Sequence, residues 1–375
     1  MSKWEMVRLG DVLDYEQPTK YIVESTNYSD EFKTPVLTAG QSFILGYTDE
    51  TENIFTNYPV IIFDDFTAAI KYVDFSFKVK SSAMKILKAS QAADIKYLFY
   101  YMGTIKTDTQ LHKRYWISKY ANIEIPLPPL PVQQKIADIL NRASALIEKR
   151  KAQIDKLDLL VKSRFIEMFG DPVTNPMGWE VKRLSDIIMH TNNGMARRGN
   201  DVDGSIVLRL VELQDGYIDY MKPNRINLDD AEKERYLLNN GDFLFARVNG
   251  NPEYVGRCAV FKAIDEPVYF NDHIIRVRFD CGELNGLFAS ELFNSSYGKS
   301  EMKDKIKTSA GQYTINQVGI GAIRVPRPPL PLQHRFADFV RATGKSKFAL
   351  QRGLDKLEIL YQSLMQKCFA GELFN

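Results

Sequence analysis

In two long stretches of this chain, apolar residues recur every three or four positions, which is the signature of one helical face. Ile136, Leu140, Ala143, Ile147, Ile154, Leu157, Val161 and Met168 make the first seam. Phe336, Val340, Thr343, Leu350, Leu354, Leu357, Tyr361, Leu364 and Cys368 make the second. Both read as heptad seams of a coiled coil, interrupted by Arg150 in one and Lys347 in the other. Each predicts a helix of about 35 residues, roughly 50 Å long at 1.5 Å per residue. Ile139, Leu146 and Leu160 add a second apolar row beside the first seam. A two-stranded coil does not need that row, so it implies further contacts with globular parts or other chains. Gly344, Gly353 and Thr343 lie on or beside the second seam and predict a broken or short second helix.

The rest of the chain alternates in strand fashion. In the first part, strands are expected over 34–38, 60–63, 71–79 and 84–87, with a helix over 93–105. Residues 116–125 return as an apolar alternation. In the second part, strands are expected over 205–210, 242–248, 256–262 and 273–279, with a helix over 286–297. The fold class is therefore α+β: two mixed globular domains separated by two long helices.

Two internal repeats organise this pattern. Pro128-Pro129-Leu130-Pro131-Val132-Gln133 recurs 200 positions later as Pro328-Pro329-Leu330-Pro331-Leu332-Gln333. Proline cannot continue a strand or sit inside a helix, so each run stops what precedes it and starts a helix. Trp4-Glu5-Met6-Val7-Arg8-Leu9-Gly10-Asp11 recurs as Trp179-Glu180-Val181-Lys182-Arg183-Leu184-Ser185-Asp186. Two copies of one module follow, too far apart for a solenoid: 1–125 and 126–170, then 171–325 and 326–375. If the two seams pack in one molecule, the helices must run antiparallel and the halves are related by a pseudo-two-fold axis. The alternative is two independent helical tails, whose exposed seams would invite aggregation.

Composition changes the picture little. No run approaches the roughly 18 apolar residues of a membrane span, the N-terminus lacks a signal-peptide pattern, and a cytoplasmic chain is expected. Cys258, Cys281 and Cys368 suggest neither a disulfide framework nor a zinc site. Charge is more telling when divided. Residues 1–125 hold 14 basic and 16 acidic side chains and 171–325 hold 19 and 22, against 8 and 5 in 126–170 and 8 and 4 in 326–375. A DNA binder with slightly acidic globular parts must cluster its cations or rely on a partner for phosphate contacts.

The candidate chemistry is of binding, not catalysis. Lys106, Thr107, Gln110, His112, Lys113 and Arg114 have the residue types used on phosphates and base edges. Lys305, Lys307, Thr308, Ser309, Gln312 and Tyr313 repeat that character ahead of the second proline run. Asn192, Asn193, Arg197 and Arg198 lie in what reads as a long loop over 191–200. A solvated loop is the bland reading of each. Asp64-Asp65 invites a nuclease reading, but strand ends often carry Asp in a turn. Asn251-Pro252-Glu253-Tyr254 resembles an adenine methyltransferase signature, yet no Gly-rich strand-to-helix turn accompanies it. No metal site is expected.

Two diverged modules, each opening on Trp-Glu-x-x-Arg-Leu-x-Asp and closing on a Pro-Leu-Pro-x-Gln helix, resemble the specificity (S) subunit of type I restriction–modification enzymes. The resemblance covers essentially the whole chain. It implies that 1–125 and 171–325 are target recognition domains, and that 126–170 and 326–375 are spacer helices. It implies a non-catalytic chain that recognises a bipartite, asymmetric site in double-stranded DNA and positions two modification (adenine-N6 methyltransferase) subunits, which restriction subunits can join. The chain itself then needs no cofactor, and S-adenosylmethionine belongs to the partner. The residues alone suggest something compatible: diverged modules held a fixed distance apart should read unlike half-sites, about one helical turn or 34–36 Å from each other. The alternative from the residues alone is a non-catalytic coiled-coil scaffold whose globular ends bind proteins.

Overall fold

The computed structural model describes residues 4–38, 43–106, 115–309 and 311–373. The chain forms two compact units, residues 1–152 with 352–375, and residues 153–351. One half of each long helix therefore belongs to each unit. The α+β class holds.

In the first unit, Val60–Asp64 is the central strand. Its apolar run is buried on both faces: Ile61 and Phe63 join one core, Val60 and Ile62 another. It sits in a four-stranded antiparallel sheet of order Leu13–Glu16, Met84–Ala89, Val60–Asp64, Ile70–Val73. A smaller sheet runs Ile44–Thr48, Thr34–Leu37, Lys78–Val79, its last pair parallel. The expected strand over 71–79 is thus two strands in different sheets, because Phe75 and Phe77 turn into the second core. The expected alternation over 116–125 is mostly helical turns, Tyr115–Ser118 and Tyr120–Asn122, with a strand only at Glu124–Pro126. Trp116 and Tyr120 are four apart, and both set edge-on against Phe63 at 5.5 and 4.8 Å.

The second unit repeats this order with different residues. Its four-stranded sheet runs Ile188–Asn193, Ile274–Phe279, Phe243–Ala246, Cys258–Val260, and its three-stranded sheet Arg225–Ile226, Ser205–Leu208, Val268–Phe270. The central strand again alternates between cores, Phe243 and Phe245 against Leu244 and Ala246. The expected helix over 286–297 stops at Asn294, and Ser295 caps a second one, Ser296–Lys303.

In each unit the two sequence repeats are in contact. Met6–Arg8 pairs antiparallel with Glu124–Pro126, and Glu180–Arg183 with Arg324–Arg327. Each Pro run thus leaves a two-stranded clasp made with the start of its own domain. The glutamine of the run then enters the domain, fully buried. Gln133 Oε1 accepts the Asp94 N–H at 2.8 Å, and its Nε2 donates to the carbonyls of Pro128 and Ala92 at 2.8 and 3.1 Å. Asp94 is the N-cap of helix Ile95–Met102. Gln333 repeats this on Asn285, the N-cap of helix Gly286–Asn294, at 2.8 Å, with Nε2 on Pro328 and Glu283 carbonyls at 2.8 and 3.2 Å.

The long helices span Leu130–Phe169 and Leu330–Ala370, 40 and 41 residues. The second is continuous, contrary to the expected break: a helical glycine costs only about 1 kcal/mol. A Cβ at Gly353 would lie 3.2 Å from the Arg150 guanidinium, so the glycine leaves room for the charge that interrupts the first seam. Lys347, the other interruption, pairs with Asp158 at 2.7 Å. Within each unit the helix halves are antiparallel. Ile136 and Leu140 share a core with Met365 and Phe369 in the first. In the second, Phe165 and Phe169 meet Phe336 edge-on at 5.5 and 5.4 Å. Ile136, Leu140, Ile147, Ile154, Val161, Phe336 and Leu354 of the expected seams are buried. Leu157, Val340, Leu350, Leu357, Tyr361 and Leu364 are half-buried.

Replacing Gln133 by Leu keeps the volume but orphans one N–H and two carbonyls. The first unit should lose on the order of 3 kcal/mol, read as a lowered denaturant midpoint, while Gln134→Leu, at an exposed position, leaves the midpoint nearly unchanged.

Candidate nucleic-acid interface

In the second unit the central strand Phe243–Ala246 gives way to a short one, Val248–Asn249, and Arg247 lies between them. Its N–H donates to the His273 carbonyl at 2.7 Å, and its own carbonyl accepts the Ile315 N–H at 2.9 Å. Its guanidinium donates to the Asp272 carbonyl at 3.2 Å. Val248–Asn249 pairs with Gln312–Thr314, which pairs back on Lys307–Ser309. The second basic segment is therefore a hairpin fixed to this corner, with Lys307, Thr308 and Gln312 exposed.

The arginine-rich segment reaches the same corner from the other side. Arg198 donates through Nη2 to Asp272 Oδ1 at 2.7 Å and to His273 Nε2 at 3.1 Å. Asp272 N–H in turn donates to the Met195 carbonyl at 2.8 Å. A guanidinium only donates, so His273 Nε2 accepts, and the neutral ring carries its proton on Nδ1. Burial, with the charges of Arg198 and Arg247, holds the His273 pKa below its ordinary value and outweighs Asp272. Among the described residues Arg247 has no carboxylate partner. A half-buried cation without a counter-charge is disposed toward an anion.

The structure separates the expected contact residues into groups. Arg197, Arg198, Lys307, Thr308, Gln312 and Tyr313 belong to the corner's two segments. The backbone of Ser309 lies in the hairpin as well. Asn192 and Asn193 are strand residues, not loop, paired with Arg276 and Ile275. Asn192 is half-buried and accepts Arg276 Nε at 2.9 Å, so it serves the fold; Asn193 is exposed and accepts from Gln317 at 3.3 Å. Lys305 is folded back on the Glu301 carbonyl and carboxylate, away from the role expected of it. Lys106 is exposed, beyond helix Ile95–Met102. Thr107, Gln110, His112, Lys113 and Arg114 lie outside the described residues. Sequence reading missed Arg247, Asp272 and His273. Their only signal was position, at the ends of two apolar strand runs.

The decoys resolve structurally. Asp64 accepts the N–H groups of Phe66 and Thr67 at 2.8 and 3.3 Å, a turn at a strand end. Asp65 accepts the Trp116 N–H at 2.9 Å and pairs with Lys85 at 3.6 Å. Among the described residues no group of His, Cys, Asp and Glu is arranged to hold a metal ion. Asn251 caps the turn Pro252–Tyr254, accepting the Glu253 N–H at 3.0 Å. No helix among the described residues is long and apolar enough to cross a membrane.

A family model for the type I restriction modification DNA specificity domain matches residues 1–157 and 176–358. The chain belongs to that family. The specificity subunit of EcoR124I/EcoR124II from Escherichia coli is 44% identical over 164 residues, 40% of this chain and 41% of the relative. That of StySPI from Salmonella potsdam is 30% identical over 274 residues, 67% and 58% of the two chains. The chain thus spans about half the length of these relatives. The MjaVIII specificity subunit of Methanocaldococcus jannaschii is 23% identical over 99% of this chain and 93% of its own. A solved S subunit of a type I restriction–modification system from M. genitalium superposes with TM-score 0.61 at 15% identity, covering 98% and 96%. This last likeness concerns the fold.

The specificity family's duplication extends to the corner itself. In the first unit the Asp65 carbonyl accepts the Tyr115 N–H at 3.2 Å, as the Arg247 carbonyl accepts the Ile315 N–H in the second. One framework carries an acid at this position in one unit and a base in the other.

Because the folded His273 pKa lies below the unfolded one, the unfolded chain binds the extra proton first. Stability of the second unit should fall as pH drops through the ordinary value of 6.5. Thermal melts at stepped pH should show this component, and His273→Gln should remove it.

Proposed function

We propose that this chain is the sequence-reading subunit of a type I restriction–modification complex, binding double-stranded DNA through two unlike half-sites. The observation that carries the reading is the pair Asp65 and Arg247. Equivalent positions of one repeated framework hold opposite charges, so the two units present unlike surfaces to DNA. The corner around Arg247 is the contact surface of the second unit, with Lys307, Thr308 and Gln312 beside it. For the first unit the contact residues remain those read from the sequence, from Lys106 onward. The long helices serve as spacer.

The same helices offer a place for partners. Ile139, Leu146, Ile359 and Leu360 of the first unit are 36, 56, 69 and 64% exposed, and Leu159, Leu160 and Ile166 of the second 60, 48 and 50%. An apolar row in each unit suits one modification subunit apiece, two in all, with restriction subunits joining the assembly. In this reading the chain is not an enzyme: the modification subunits hold S-adenosylmethionine and methylate an adenine turned out of the stack. Mildly acidic globular parts then suit a protein whose partners supply part of the phosphate contact.

Band shifts at stated salt, with and without an adenine methyltransferase of this class, test the reading. Sequence-dependent retention is expected. A protein-binding scaffold would retain no DNA under either condition. Arg247→Ala should weaken binding on all sequences alike and lower the slope of log K against log salt by about 1. Leu160→Asp, at an exposed position, should shift stability by no more than about 0.5 kcal/mol yet reduce co-purification of the modification subunit.

A further inference from the structure

Arg197 differs from Arg198 and Arg225, its neighbours in the second unit. Arg198 uses both terminal nitrogens internally, on Ala196 O, Asp272 and His273. Arg225 is spent on Glu266 through both, at 2.5 and 2.9 Å. Arg197 places only Nη1, which donates to the Asn227 carbonyl and to Glu232 Oε2, both at 2.8 Å. Among the described residues its Nη2 and Nε have no partner, and the side chain is 44% exposed.

The clamp is itself held. Glu232 closes a capping box, its carboxylate accepting the Asp229 N–H at 3.1 Å while Asp229 accepts the Glu232 N–H at 2.8 Å. Asn227 is tied through its N–H to Asp201 Oδ2 at 2.8 Å. The guanidinium is thus fixed in plane and tilt by two acceptors on one nitrogen. Its charge is largely cancelled by Glu232, so it adds little to general attraction for phosphates. What remains is a pair of unpartnered donors, Nη2 and Nε, on a partly exposed side chain whose Nη1 is fixed. A phosphate anchor needs charge and tolerates a swinging side chain. A base reader needs a fixed fork. The acceptor pair that matches such a fork is O6 and N7 of guanine in the major groove.

We infer that Arg197 reads a guanine in the half-site of the second unit, with Glu232 and the Asn227 carbonyl as its positioning clamp. The inference rests on the DNA-reading function proposed above and adds a residue and a base to it.

The test is selection from a randomised duplex library by the full chain with its methyltransferase partner, wild type against Arg197→Lys. Lysine keeps the charge and loses the fork. The wild-type site should contain a guanine that Arg197→Lys no longer prefers, with discrimination reduced about tenfold, the other half-site unchanged and the salt slope unaltered. Replacing that guanine by 7-deazaguanine removes N7 alone. It should weaken wild-type binding severalfold and leave Arg197→Lys indifferent, a readout that a purely structural ion pair would not produce. Retention of the same guanine preference by Arg197→Lys, or equal sensitivity of both proteins to 7-deazaguanine, overturns the inference. Failure of the wild type to enrich any sequence overturns the DNA-reading function instead.

Discussion

One buried amide per half makes this architecture hold. Gln133 and Gln333 are the only polar part of their Pro-Leu-Pro-x-Gln runs, and each is fully buried against the N-cap of its domain's own helix. A buried amide must satisfy both ends. These do so with a cap residue's N–H and two carbonyls, which ties the Pro run to the segment leading into the capped helix. An apolar residue there would contribute burial without direction. The glutamine fixes the angle at which a helix of 40 or 41 residues leaves its domain, and small errors in that angle grow along such a lever.

Around this joint, conservation of form and divergence of chemistry are spatially separated. Strand order, clasp and glutamine recur in both units, whereas the ends of the central strands differ. Asp65 is neutralised by Lys85, and among the described residues Arg247 has a carbonyl but no carboxylate for a partner. The framework supplies a repeated place to put side chains, and the side chains supply the difference. This is what the proposed reading of two unlike half-sites requires, and it explains why overall charge says little. The arginines of the second unit are mostly cancelled by local carboxylates, such as Arg225 by Glu266 and Arg197 by Glu232. Net charge is near balance, yet the orientation of individual guanidinium groups is well defined.

Much was legible in the chain itself. Heptad spacing set both long helices, because a 3.6-residue period exposes one face whatever lies against it. The Pro runs marked their starts, and the two repeats declared the duplication. The central strands were visible as short apolar runs, over 60–63 and 242–248; that both faces are buried came from the fold. The turn at the end of the first central strand was also read from the sequence, and Asp64 caps it through the Phe66 and Thr67 N–H groups.

Tertiary structure decided what depends on residues far apart in the chain. Helix two stays continuous through Gly344 because packing elsewhere outweighs the local propensity cost. Tyr115–Ser118 is helical, not extended, because Trp116 and Tyr120 find Phe63, far back in the chain. Asn192 is a strand residue serving Arg276, and Lys305 is drawn back by Glu301. The corner that joins Arg198, Arg247, His273 and the paired strands Lys307–Ser309 and Gln312–Thr314 is assembled from four separate segments. Periodicity is local and so can be read along the chain; a binding surface is a property of neighbours, and only folding chooses them.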